Sequence, residues 1–339
     1  MYLNTNKRNK YMNNLKKIGL TALAGSLVAM GANAAELTVS GSAKVTYVSN
    51  SGASDSQKKN VTGSPLGFEQ MVAFNGSAEN PIGDISLYIG FDMTGVAKSS
   101  SALTIDMGDN GIIAFDGGTA GYGLNNKKDT LPRASGAEQA WDDTAGDAYT
   151  SGEATSGMIA YRNSMAGFTY DVVYAKNGGG NSNDDTQTVA GDDSSKTVTV
   201  WTDSLMDGLQ VGAGYGKIDD TTSIDIEKQT LAWAKYAVGP VTLGVQGASH
   251  NKAGNDEEIT MYGVAFNINE NASISYNKRT VELGDQVVAA TKDHTDTGIA
   301  ASYTMGGMTL SAFQNEADDV GGTSGKTDKR TQVSLSFAF

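Results

Sequence analysis

Charged residues fall into two groups whose positions could create an electric field across a narrow passage. Four basic residues lie in short alternating segments and share the hydrophilic side by register: Lys44, Arg162, Arg279 and Arg330. Four acids lie in a long segment rich in Gly, Ser and Asp: Glu138, Asp142, Asp143 and Asp147. Opposed charges across a gap of low dielectric orient dipolar solutes. Rings of charge also set ion preference. These residues are therefore candidates for a charged constriction.

Residue types that support catalysis or tight metal binding are sparse. The chain has no cysteine, which excludes disulfides, thiolate metal sites and Cys catalysis. His250 and His294 lack the partner spacing of a metal site or a catalytic triad. Acidic clusters such as Asp318-Asp319 lack the spacing of a defined calcium loop. We therefore expect no enzyme and no cofactor, apart from divalent cations held in loops or bridging to lipopolysaccharide.

The elements that position these charges are short segments of period two. Leu37, Val39, Val45 and Tyr47, for example, alternate with Thr38, Ser40, Lys44 and Thr46. This pattern is typical of half-wetted β-strands. Sixteen such segments are separated by seven tight turns and eight long polar connectors, of which 118–155 is the longest. The mature chain has no convincing amphipathic helix and no linker, which predicts a single domain over 35–339.

An isolated sheet of this size must hide one face and close its edges. The hydrophilic face carries Ser, Thr, Gly, Gln, Asp and Arg, which is too polar for a dry core. Tight turns at one end and long loops at the other are typical of barrels in lipid. We therefore predict an all-β, transmembrane antiparallel β-barrel of 16 strands around a wet lumen. If the third long connector, 118–155, folds into the lumen, it narrows the passage and supplies the four acids.

The first residues resemble an export signal that follows a short extension. Lys16 and Lys17 precede an apolar run over 18–30, and Ala32-Asn33-Ala34 matches the pattern before a cleavage point. We therefore assign 1–34 to an N-terminal extension and a signal peptide, cleaved between Ala34 and Ala35. The whole chain has net charge −13; the first 34 residues hold five basic residues and no acid, so the mature charge is −18. That acidity argues against nucleic acid as a partner.

Three segments together resemble the general porins of Gram-negative outer membranes, the 16-stranded trimeric family. They are Glu36-Leu37-Thr38-Val39-Ser40-Gly41 after the signal, Ala160-Tyr161-Arg162-Asn163-Ser164 with 168–174 after it, and the terminal Phe339. The resemblance implies passive diffusion of ions and small hydrophilic solutes through a homotrimer in outer-membrane lipid and lipopolysaccharide. It implies that Arg162 points into a constriction and that the barrel-assembly machinery reads Phe339. The chain lacks the Pro-Glu-Phe-Gly-Gly motif that many relatives carry in the third loop.

Two other functions fit the same pattern. One is a solute-selective outer-membrane channel of the same fold, which would show saturable block by one class of solute. The other is an exported β-structured surface protein without a pore, which would be water-soluble and would give no conductance in bilayers.

Overall fold

A computed structural model describes residues 36–52, 64–95, 97–117, 121–135, 137, 139–141, 156–177, 193–219, 227–252, 255–283 and 292–339. Its strands, β1 to β16 in chain order, are Glu36–Gly52, Leu66–Ala78, Asp84–Asp92, Ala97–Asp106, Ile112–Gly117, Ser156–Met165, Phe168–Asn177, Asp193–Thr202, Leu209–Asp219, Glu227–Val238, Val241–Lys252, Asn255–Asn267, Ala272–Leu283, His294–Met305, Met308–Asp318 and Asp328–Ala338. Two short 3₁₀ turns occupy Gly108–Asn110 and Val320–Gly322. Within the described residues, no helix is long and apolar enough to cross a bilayer.

The sixteen strands form one closed antiparallel barrel, as the alternation predicts. Each strand pairs with its neighbours in sequence, and β1 closes the ring by pairing with β16, for example Thr46 with Ser334. Closure leaves no free sheet edge, which is the condition for a sheet that crosses a membrane.

The two faces of the sheet differ in the way that period two dictates. One face exposes large apolar side chains, such as Val39, Ile299 and Tyr262. The other face carries polar side chains that are buried, including Asp171, Thr199, Gln246 and Asp296. Exposed apolar side chains on this scale are stable against hydrocarbon, while the polar face requires hydrogen-bond partners or water.

Most of the long connectors are shorter than the sequence predicts, and two of them are much shorter. The predicted loop 94–101 is wrong over much of its length, since β4 begins at Ala97. The predicted loop 249–257 is also wrong, since β11 and β12 pair up to Lys252 opposite Asn255. The side chains there are polar, but strand pairing uses backbone groups and continues past the apolar stripe.

Candidate functional site

The predicted basic residue Arg162 lies on the polar face of β6, in line with the buried Met158 and Ala160. Its guanidinium donates two hydrogen bonds to the carboxylate of Asp171 on β7, from Nε to Oδ1 at 2.6 Å and from Nη2 to Oδ2 at 2.8 Å. Nη2 also donates to the carbonyl of Gly121 in the 118–155 connector at 3.0 Å. Arg162 therefore joins the barrel wall to the start of this connector.

Arg279 forms a similar but more deeply buried pair. Its Nε donates to Asp296 Oδ2 at 2.7 Å, and His294 Nε2 lies 3.0 Å from the same oxygen. The guanidinium carbon is 5.5 Å from the ring centroid of Trp141, near the end of the described part of the connector. Cations over an aromatic face are attracted by the ring quadrupole. Arg162 and Arg279 thus contact the connector near its two described ends.

The other two predicted basic residues interact with neighbouring wall residues. Lys44 on β1 pairs with Glu69 on β2 at 2.8 Å, and both side chains are partly exposed. Arg330 on β16 donates from Nη2 to Gln332 Oε1 at 2.8 Å. Both lie on the polar face. A role for any of the four basic residues in a constriction stays a prediction.

The predicted acids Glu138, Asp142, Asp143 and Asp147 lie outside the described residues, so their contribution also stays a prediction. The described part of the same connector contacts the polar face of several strands around the barrel. Eight hydrogen bonds join its residues between 127 and 139 to β11, β13 and β15; the partners are Gln246, Ser273, Ser275, Asn277 and Asn315. Its apolar side chains Leu124, Leu131, Ala134, Ala140 and Trp141 are buried.

Glycines on the polar face make room for this connector. A Cβ at Gly244 would lie 2.4 Å from Pro132 Cδ, and one at Gly263 would lie 3.2 Å from the same atom. Two strands away, a Cβ at Gly298 would lie 2.7 Å from the Cα of Ala140. The register places Gly244 opposite Gly263, and Asn277 between Gly263 and Gly298. These three glycines and Asn277 form a shallow track, which we call the glycine track.

Lys127 in the connector reaches two tryptophans of the wall. Its Nζ lies 3.9 Å from the ring centroid of Trp201 on β8 and 5.9 Å from that of Trp233 on β10. Burial lowers the pKa of the Lys127 ammonium, an effect that the charge of Asp171 partly offsets and those of Arg162 and Lys235 reinforce. Burial likewise raises the pKa of the nearby Tyr122 phenol.

The sequence model of the Gram-negative porin family matches residues 19–339. The chain belongs to the Gram-negative porin family. No curated protein sequence matches it significantly. It is an outer-membrane channel through which solutes diffuse passively.

Solved structures share the porin's fold at low sequence identity. A porin refined at 1.8 Å resolution matches with a TM-score of 0.63 and 15% identity over 90% of this chain and 100% of that one. An anion-selective porin from Comamonas acidovorans matches with a TM-score of 0.61 and 13% identity, again over 90% of this chain and 100% of that one. The trimer form of OmpT from Vibrio cholerae matches with a TM-score of 0.58 and 10% identity over 90% of this chain and 100% of that one.

The last residue of the porin takes part in closing the barrel. The backbone N–H of Phe339 donates to the carbonyl of Gly41 at 3.0 Å, and Gly41 N–H donates to the Phe339 carbonyl at 2.7 Å. Phe339 is 78% exposed as a residue. Recognition of Phe339 during assembly stays a prediction. Ala34 and Ala35 lie outside the described residues, and so does the predicted signal peptide.

The sequence analysis missed the wall residues that hold the connector in this porin. Gln246, Asn277 and Asn315 are ordinary polar-face residues by pattern, and nothing in their spacing distinguishes them. The glycines did carry a signal. Gly inside a strand often marks a place where another backbone approaches closely, and Gly244, Gly263 and Gly298 all lie within strands on the polar face.

Proposed function

We propose that the 118–155 connector lies inside the lumen and forms the constriction of a general diffusion pore for ions and small hydrophilic solutes. The observation that carries the proposal is the set of eight hydrogen bonds between this connector and the polar face. A segment that satisfies buried polar groups of the inner wall reduces the open cross-section of the barrel, and the remaining wet passage excludes large solutes.

Charges on the wall and on this connector set the ion preference in this proposal. Lys44, Arg162, Arg279 and Arg330 lie on the wall, and Glu138, Asp142, Asp143 and Asp147 belong to the connector. Because the whole chain carries net charge −13, we expect a mild preference for cations, which the wall cations reduce.

Conductance of the purified protein in planar bilayers tests the proposal. We expect stepwise channels, a reversal potential in a salt gradient that indicates weak selectivity, and current that rises in proportion to salt concentration. Absence of channels from correctly folded protein would refute a diffusion function. Saturable block of that current by one class of solute alone would instead indicate the solute-selective channel.

The assembly is proposed as a homotrimer in lipid and lipopolysaccharide, inserted by the barrel-assembly machinery. Its support is the family membership of the chain and a structural neighbour in trimer form. We further propose that the protein catalyses no reaction, and that divalent cations bind only at acidic loops. Mass measurement in detergent tests the trimer, since a monomer of 35.2 kDa before signal cleavage is readily distinguished.

A further inference from the structure

A group of hydrogen-bond donors lies on the polar face beside the start of the connector. Trp201, Gly212 and Trp233 are direct neighbours on β8, β9 and β10. The indole of Trp233 occupies the space that a side chain at Gly212 would need, so it lies against Trp201. Lys127 reaches over this pair from the connector. Lys235 lies two residues beyond Trp233 on the same face of β10, between Gln210 and Gly244.

The charges in this group are not balanced. Asp171 is the nearby carboxylate, but Arg162 engages both of its oxygens and the Gly123 N–H donates to one of them at 3.2 Å. Across the part of the chain that the structure describes, neither Lys127 nor Lys235 donates to a carboxylate. Both ammonium groups are partly buried, so each has lost water without gaining an acidic partner.

An unused neutral donor lies in the same place. Trp233 is 4% exposed, and its indole Nε1 has no hydrogen-bond acceptor among the described residues. A buried N–H without an acceptor costs about 1–3 kcal/mol and is rare in folded proteins. One acceptor of negative charge would satisfy this donor and compensate the two ammonium groups.

We propose that Lys127, Lys235 and the Trp233 N–H form an anion subsite for small solutes that carry a carboxylate or phosphate group. The inference rests on the proposed function, because it requires the connector to lie in the passage. The subsite would hold an anion transiently against the wall of a channel whose overall charge is acidic. Permeating oxyanions would therefore find a favourable binding site in a channel whose net negative charge otherwise repels them.

Block of channel current by added anions tests the subsite. Inorganic phosphate and, separately, succinate are added to one side of a bilayer that holds the full porin in symmetric potassium chloride. We expect both anions to reduce the current partly and saturably, because the subsite recognises the negative charge that they share, and their relative potency distinguishes phosphate from carboxylate chemistry. Block by only one of the two would instead indicate the solute-selective channel and would overturn the inference. Lys235→Met should weaken the block about tenfold, and Trp233→Phe, which keeps a ring but removes the N–H, should weaken it severalfold.

A matched control uses a lysine on the same strand that faces outward. Lys228 is exposed on the opposite face of β10, so Lys228→Met makes the same chemical change without touching the subsite. If Lys235→Met fails to fold, Lys127→Gln tests the subsite from the connector side. Channels that conduct but show no block, or equal block in the wild type and in folded Lys235→Met, would overturn the inference and leave the diffusion function intact. A wild-type protein without channels would instead refute the function itself.

Discussion

Filling the glycine track should release the connector from the wall and widen the channel. Replacing Gly244, Gly263 and Gly298 together by valine places side-chain atoms where Pro132 and Ala140 now lie, since the nearest approaches of a Cβ are 2.4, 3.2 and 2.7 Å to those two residues. Overpacking of this kind costs about 1–3 kcal/mol at each site, hence about 3–9 kcal/mol for three.

That cost competes with the interactions that hold the connector. Eight hydrogen bonds, at about 0.5–1.5 kcal/mol each, contribute about 4–12 kcal/mol. A single Gly244→Val therefore shifts the connector locally and leaves it bound. In the triple variant the two free energies are of similar size, so the connector should be bound to the wall in some molecules and released in others.

Single-channel conductance and liposome swelling with sugars of increasing size measure the outcome. We expect little change for Gly244→Val, and for the triple variant a higher, fluctuating conductance and entry of larger sugars. Gly247→Val is the control, because Gly247 is on the outer face of the same strand and a Cβ there meets nothing within 4 Å. Unchanged conductance in a folded triple variant would show that the connector does not limit the passage.

Further predictions concern individual charges. Arg162→Gln should destabilise the barrel by about 3–5 kcal/mol in urea unfolding, because it leaves the fully buried Asp171 without its partner, and should shift the reversal potential toward cations. Adding Asp171→Asn restores the net charge, so the double variant should recover most of the wild-type reversal potential; an unrestored potential contradicts this reasoning. Lys44→Gln should lower the free energy of unfolding by less than about 1 kcal/mol, because the ion pair of Lys44 with Glu69 is solvated. A larger loss of unfolding free energy would contradict the view that this pair is weak. Burial lowers the pKa of Lys127, so raising the pH should neutralise it before ordinary lysines and weaken block by succinate. Block that persists until ordinary lysines titrate would contradict the pH argument.

The number of strands could be predicted because most strands keep the two-residue period and polar connectors separate them. Strand ends could not, since backbone pairing continues where the side-chain alternation stops, as between Lys252 and Asn255. The faces of Lys44, Arg162, Arg279 and Arg330 also follow from alternation alone, because parity within one strand needs no knowledge of its neighbours.

The partners of those basic residues depend on the register between neighbouring strands. That register follows from the sequence across a tight turn but not across a long connector. A two-residue turn joins β6 and β7 and sets Met165 opposite Phe168, so counting back puts Arg162 opposite Asp171. That pair was within reach of the sequence. The Arg279–Asp296 pair spans a ten-residue connector, whose length fixes no register.

Charges on the described wall divide into paired and unpaired sets, and only the second set acts strongly on a passing ion. At 5 Å in water, an isolated unit charge contributes about 0.8 kcal/mol, whereas the two charges of a close pair largely cancel at that distance. Arg162 and Arg279 are neutralised by Asp171 and Asp296, and both contact the connector. Their main effect is therefore on where the connector lies. In the proposed subsite, Lys127 of the connector and Lys235 of the wall, which no described carboxylate neutralises, are the charges expected to act on a permeating anion.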